Sequence, residues 1–182
     1  GEVDLAGRGY DIAIEVDAKL GANHISQSLA TTRFHVCGSP SYFDEYGKPK
    51  NPEDLENHKT LLFSQNGQVR PWCFVRDGQQ MNMRLTPKWY SNSGEALLKA
   101  SRLGVGLAYM PSYSVMDPIN KGSLLTVLDD WSQRDVDIEL IHLQKRNLPA
   151  KIEYFIEFIV ERFANFQDLS ASDHKLVDIT PA

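Results

Sequence analysis

The sequence predicts an α/β fold, and three observations carry that expectation. Short strand-like runs alternate with helix-start signals along most of the chain, a long helical period closes it, and the run Val105 to Met110 is apolar enough for a strand buried on both faces. The 182 residues are 42% hydrophobic and 24% charged, which is ordinary globular usage and enough for one domain or two small lobes. Nineteen basic against 24 acidic side chains leave a formal charge of −5. Such a balance lacks the basic footprint that phosphate backbones demand, so direct gripping of nucleic acid is excluded for this chain. The best apolar run, Tyr154 to Val160, is broken by Glu157 and too short for a membrane span. Cys37 and Cys73 stand in different segments without a Cys-x-x-Cys or zinc-like histidine spacing. A reducing compartment fits, and with no export signal after Gly1 the expected location is the cytoplasm.

In chain order, Asp11 to Val16 reads as a strand, and so does Arg33 to Gly38, where Phe34 and Val36 alternate with Arg33, His35 and Cys37. Ser39-Pro40 caps and opens a short helix that Gly47 closes, and Asn51-Pro52 starts another turn through Leu55. Lys59 to Ser64 is a third strand, and Gln65 to Gln68 is a polar turn suited to a boundary or hinge. Trp72 to Arg76 and Gln80 to Leu85 flank Asp77-Gly78, a hairpin signal because both turn positions need positive φ. Asn92 stands three residues before Glu95 in capping-box spacing, ahead of a helix with Ala96, Leu97, Ala100 and Leu103 on one face. Gly104 ends it before the buried strand, Pro111-Ser112 opens a helical turn ahead of Asp117-Pro118, and Leu124 to Leu128 and Ile138 to Leu143 are further strands. Ile152, Phe155, Ile156, Ile159 and Phe163 then recur at helical spacing and predict a helix packed hard on a sheet. Residues 166–182 are polar and read as a loose tail.

Little in this pattern is catalytic. Gly104-Val105-Gly106 leaves a helix instead of following a strand and lacks the third glycine, so a helix end is the better reading than a dinucleotide loop. His35 and Cys37 share a strand face, yet no orienting third residue or oxyanion nest is evident, which favours a structural thiol. The five histidines are scattered without metal spacing, and Trp72, Trp89 and Trp131 lack an interleaved basic stripe, so they read as core or edge residues. Glu15 and Asp17 on alternate strand positions read as a polar edge sooner than an acid/base dyad. No metal and no cofactor is expected. The helix starts at Ser39, at Ser91-Asn92-Ser93 and at Ser112 follow strands, where free N–H groups and hydroxyls suit ligand capture, although plain capping explains each one singly.

The succession Val3-Asp4-Leu5, Gly9 to Ile14, Gly38-Ser39-Pro40-Ser41-Tyr42, Pro52 to His58, Asn92 to Leu97, Leu103 to Pro111, Gly122-Ser123-Leu124 and Leu128 to Trp131 resembles the effector-binding domain of LysR-type transcriptional regulators. The resemblance runs from Val3 to about Phe163. It implies two Rossmann-like lobes of the type II periplasmic-binding-protein kind, the first lobe incomplete, with a small-molecule effector in the cleft between them. The expected division is 1–64 and 144–165 for the first lobe and 65–143 for the second. The family's helix-turn-helix, and the first strand, helix and strand of its effector domain, have no counterpart in the sequence, so DNA would be contacted only through a domain outside this chain. Many members carry Arg and then Gly where this chain has Glu15 and Asp17, and the extra carboxylate disfavours a purely anionic effector.

The expected ligand-binding residues are Asp17, Ala18, Ser91, Asn92, Ser93, Pro111, Ser112, Tyr113 and His142. A homodimer is expected, with contacts on the helix of Tyr42, Phe43 and Tyr46 and on the helix from Ser93 to Arg102. The expected function is a non-enzymatic regulatory module. A stand-alone solute-binding protein of the same fold is the alternative, and an enzyme using His35 and Cys37 is poorly supported.

Overall fold

The computed structural model describes residues 3–65, 67–132, 134–144 and 148–164; the expected tail at 166–182 lies outside them. A mixed sheet organises the chain. Strand β1 (Ile12–Val16) pairs antiparallel with β10 (Asp135–Leu143), which pairs antiparallel with β2 (His24–Gly38) over His24 to Arg33. The 15-residue β2 then changes partners, joining β8 (Leu107–Pro111) through Phe34 to Cys37 and β9 (Leu125–Val127) through Val36 to Gly38. Strand β8 runs parallel to β3 (Thr60–Gln65), and β3 parallel to β7 (Trp89–Ser91). A short β4 (Gln68–Val69) folds back on β3, and β5 (Trp72–Arg76) with β6 (Gln79–Met83) forms a separate hairpin. Both turn residues, Asp77 and Gly78, have the positive φ that this hairpin demands.

Only the second part of β2 was legible as a strand. Its first part carries Ser26, Gln27, Ser28 and Thr31 and is held by cross-strand pairing to β10, which leaves little apolar alternation to read. The expected boundary after Ser64 would part β3 from the strands later in the chain. Hydrogen bonding instead ties β3 to β7 and β8, and β2 is the strand that spans both halves of the sheet.

Alternate residues of the central strands feed two cores. Val36, Leu62 and Leu107 join Tyr42, Phe43, Leu55, Trp72 and Phe74 on one face, while Cys37, Leu61, Ala108 and Met110 join Leu97, Val115 and Leu124 on the other. The period of two in β2, β3 and β8 therefore serves two buried faces, as a sheet covered by helices on both sides requires. Helix α2 (Pro40–Tyr46) starts as expected, with the Ser39 hydroxyl accepting from the Tyr42 amide. Tyr42 and Phe43 belong to the first core, not to an interface; Tyr46 is the exposed aromatic of that helix.

Helix α3 (Gly94–Arg102) begins one residue later than expected. Ser93, not Asn92, is its cap, accepting from the Ala96 amide, so Glu95 falls outside capping-box position and pairs with Lys99 instead. Leu97 is buried, but Leu103 lies past the helix and is 81% exposed; Ser101 takes the buried place, donating to the Cys37 carbonyl. Helix α4 (Ser112–Asn120) continues through Pro118, which sits in its last turn and costs one backbone donor. The final helix α5 (Ala150–Phe163) buries Ile152, while Tyr154, Phe155 and Phe158 are exposed, so it does not pack hard on the sheet as its period implies. A four-residue α1 (Leu5–Arg8) precedes β1. Among the described residues no helix is long and apolar enough to cross a membrane.

Candidate functional site

The parallel arrangement of β7, β3 and β8, with α3 connecting β7 to β8, brings strand ends and helix starts to one edge of the sheet. There a cavity of about 430 Å³ opens. One side is the end of β1, Ile14 to Asp17. Opposite it stand Phe63 and Gln65 at the end of β3, Tyr109 to Pro111 at the end of β8, Gly94, Glu95 and Leu98 of α3, and Tyr113 and Ser114 of α4. The segment Arg70 to Cys73 closes a third side, and Phe34, Arg134 and Val136, where β2 changes partners, form the floor.

Aromatic rings dominate the wall. Tyr109 stacks on Phe34 at 4.9 Å between centroids and on Trp72 at 5.4 Å. Its hydroxyl donates to the Cys73 carbonyl, and burial pushes its phenol pKa far above the ordinary value. Burial also raises Tyr113, whose hydroxyl has no hydrogen-bond partner among the described residues.

The charged groups are arranged in pairs. Arg134 donates from both terminal nitrogens to the two carboxylate oxygens of Asp17, one bond measuring 3.1 Å. That hydrogen bond, ahead of burial working the other way, raises the Arg134 pKa. Arg70 donates to the Gln65 side-chain carbonyl at 2.6 Å and to the Val16 carbonyl at 3.3 Å, and lies 4.0 Å from Glu15. Gln65 in turn donates to Glu15 at 3.3 Å. These contacts join the strand end of β1 to β3 and the loop after it.

Of the expected ligand residues, the structure brings Asp17, Pro111 and Tyr113 to this cavity. Ala18 lines a smaller neighbouring cavity of about 290 Å³ with Lys19 and Arg8, sharing Glu15, Gln65 and Arg70 with the first. Ser91 and Ser93 are engaged locally, Ser91 accepting from the Ser93 amide and Ser93 capping α3; Asn92 lies between them, and Gly94 and Glu95 reach the cavity in their place. His142 sits in register with Ile12 and Ile25 and bonds the Leu143 carbonyl, apart from the cavity lining. Ser112 is fully buried: it donates to the Arg33 carbonyl at 3.0 Å and lies 2.9 Å from His35 Nε2.

His35 also faces Asp129 at 3.5 Å, so a serine, a histidine and an aspartate line up. The arrangement is structural. Ser112 spends its proton on a backbone carbonyl and is closed to solvent, leaving its oxygen to accept from His35. Its contact with His35, assisted by a hydrogen bond from Thr126, holds the Asp129 carboxyl below its ordinary value. Cys37 is no better a nucleophile, because burial pushes its thiol up to about 12. Among the described residues no three His, Cys, Asp or Glu side chains converge as a metal site.

Sequence reasoning missed Phe34, Phe63, Arg70, Trp72, Tyr109 and Arg134. Trp72 and Tyr109 could be read only as core residues, and the two arginines meet the end of β1 across 54 and 117 positions. No local spacing encodes such contacts.

Comparison with known proteins gives the family and the fold. The family model described as the LysR substrate binding domain matches residues 3–164. An HTH-type transcriptional regulator of Haemophilus influenzae is 31% identical over 151 residues, covering 83% of this chain and 52% of that protein. The HTH-type transcriptional regulator CrgA of Neisseria meningitidis is 28% identical over 170 residues, covering 91% and 55%. The solved CrgA regulatory domain superposes with a TM-score of 0.73 at 25% identity, over 90% of this chain and 80% of that one. The regulatory domain of AphB from Vibrio vulnificus gives 0.69 at 22% identity, over 85% and 76%, which speaks to the fold alone. The chain spans about half the length of the relatives it matches.

Proposed function

Because the chain belongs to the LysR substrate-binding domain family, whose model matches residues 3–164, we propose that it is the sensing part of a transcriptional regulator, with a small-molecule effector held in the 430 Å³ cavity. The observation that carries this reading is where the cavity lies: at the carboxyl ends of β3 and β8, faced by the end of β1. On this reading the lobes divide within β2 and within the first residues of β10: residues 3–32, 138–144 and 148–164 fall on one side and residues 35–65 and 67–131 on the other, while Arg70 and Gln65 of the second side, with Arg134 of the crossing segment, reach Glu15, Val16 and Asp17 on the first. An effector that favours one spacing of these elements shifts the balance between two arrangements as far as its affinities for them differ.

DNA contact belongs to a helix-turn-helix domain such as the relatives' names record, and the whole regulator works as a homodimer in the cytoplasm. The α3 side, with exposed Leu103, Val105 and Tyr90, is the better dimer surface now that Tyr42 and Phe43 are core residues. Relatives named as regulators favour this reading over a stand-alone solute-binding protein or an enzyme.

A thermal-shift screen of this chain against small metabolites tests the proposal. A ligand at 100 times its Kd stabilises the chain by about 2.7 kcal/mol. The shift should vanish in Leu98→Trp, which fills the cavity; a shift that persists there places the ligand elsewhere.

A further inference from the structure

The charge pairing in the cavity specifies what enters it. Three carboxylates and two arginines border the space, and each already has an opposite partner: Asp17 has Arg134, Glu15 has Arg70 and Gln65, and Glu95 has Lys99 at 2.8 Å on the outer side. Among the described residues no wall charge is left over for a ligand charge. Asn66 and Gln133, next in sequence to cavity residues, are uncharged amides. An incoming carboxylate would lie beside Asp17 or Glu15, which already stand next to the arginines, and an incoming cation meets the same conflict with Arg70 or Arg134. A neutral ring meets neither. It finds the Phe34–Tyr109–Trp72 stack, Leu98 and Met110, and the Tyr113 hydroxyl, which has no hydrogen-bond partner among the described residues.

We infer that the effector is an uncharged, ring-bearing molecule with an acceptor oxygen placed to receive a hydrogen bond from Tyr113. This rests on the cavity being the effector site. The volume, about 430 Å³, leaves room for a ring with substituents.

Three probes of one shape and different charge test it: benzamide, benzoate and benzamidinium, titrated calorimetrically into this chain, into Leu98→Trp and into Tyr113→Phe. Benzamide should bind at least about tenfold more tightly than either ion, since each ion would be placed beside a wall charge of its own sign. It should weaken about threefold or more in Tyr113→Phe, with the unfolding curve of that variant unchanged, as the loss of one hydrogen bond implies. Its binding should be lost in Leu98→Trp. Equal binding of the three, or tighter binding of an ion that Leu98→Trp abolishes, overturns the neutral class and leaves the site standing. Binding that neither variant alters, or no binding of any probe, overturns the site and the ligand class together.

Discussion

Arg134 and Asp17 are 117 positions apart and meet through two hydrogen bonds, with Asp17 in a left-handed conformation (φ +53) just past the end of β1. Asp tolerates that conformation better than most residues, and the turn aims its carboxylate at the guanidinium. The pair closes one end of the cavity and neutralises the arginine there.

Replacing Asp17 with Asn therefore turns Arg134 into an open anion contact. Benzoate affinity should rise by about tenfold, while benzamide affinity changes much less. Calorimetric titration of the variant checks this; unchanged benzoate binding would show that Arg134 does not face the ligand.

Ser112, expected from the sequence to touch ligand, is instead joined to Arg33 and His35 inside the fold. Ser112→Ala should destabilise the chain by about 1–3 kcal/mol, because the Arg33 carbonyl loses its side-chain donor and the His35 nitrogen its partner. Urea denaturation measures the change. Ligand affinity of the folded variant should stay close to wild type.

Gly106 lies where β8 enters against β3. A Cβ at this position would stand 2.5 Å from the Lys59 carbonyl oxygen, the same atom that accepts from the Leu107 amide at 2.8 Å. Since backbone cannot step aside as a side chain can, Gly106→Ala should cost about 1–3 kcal/mol, readable as a lowered urea midpoint.

His58 accepts a hydrogen bond from the Tyr42 hydroxyl, which itself accepts from the Lys59 amide. Burial lowers the His58 pKa from 6.5, with Asp54 working in the opposite direction. The fold thus prefers the neutral ring, and the unfolded chain binds more protons once the pH falls below 6.5. Stability from this site is complete above that value and is lost as the pH drops through the folded pKa. Between about pH 7.5 and 5.5, wild type should lose more stability than His58→Asn in parallel urea titrations.

Much of the framework was legible because local chemistry encodes it: Ser39-Pro40 and Gly47 bracket α2, Asp77-Gly78 turns the hairpin, and the apolar run after Gly106 becomes β8. The first part of β2 was not, since its polar residues are held by pairing with a strand more than 100 positions away. The cavity divided the same way. Asp17, Pro111 and Tyr113 follow from strand ends and helix starts, whereas Arg70, Trp72 and Tyr109 enter through tertiary packing that no window of sequence contains. The serines at the helix starts stand outside the cavity lining: Ser91 and Ser93 accept backbone hydrogen bonds at the start of α3, and Ser112 is buried against Arg33 and His35.

The most direct measurement is amide hydrogen exchange of this chain with and without saturating benzamide. A ligand between β1 and the strand ends should slow exchange at Val16 and Asp17 and at Tyr109 to Tyr113 together, leaving α5 unaffected. Protection confined to residues 3–19, around the smaller cavity, or absent from both sets, would contradict the assignment of the effector site.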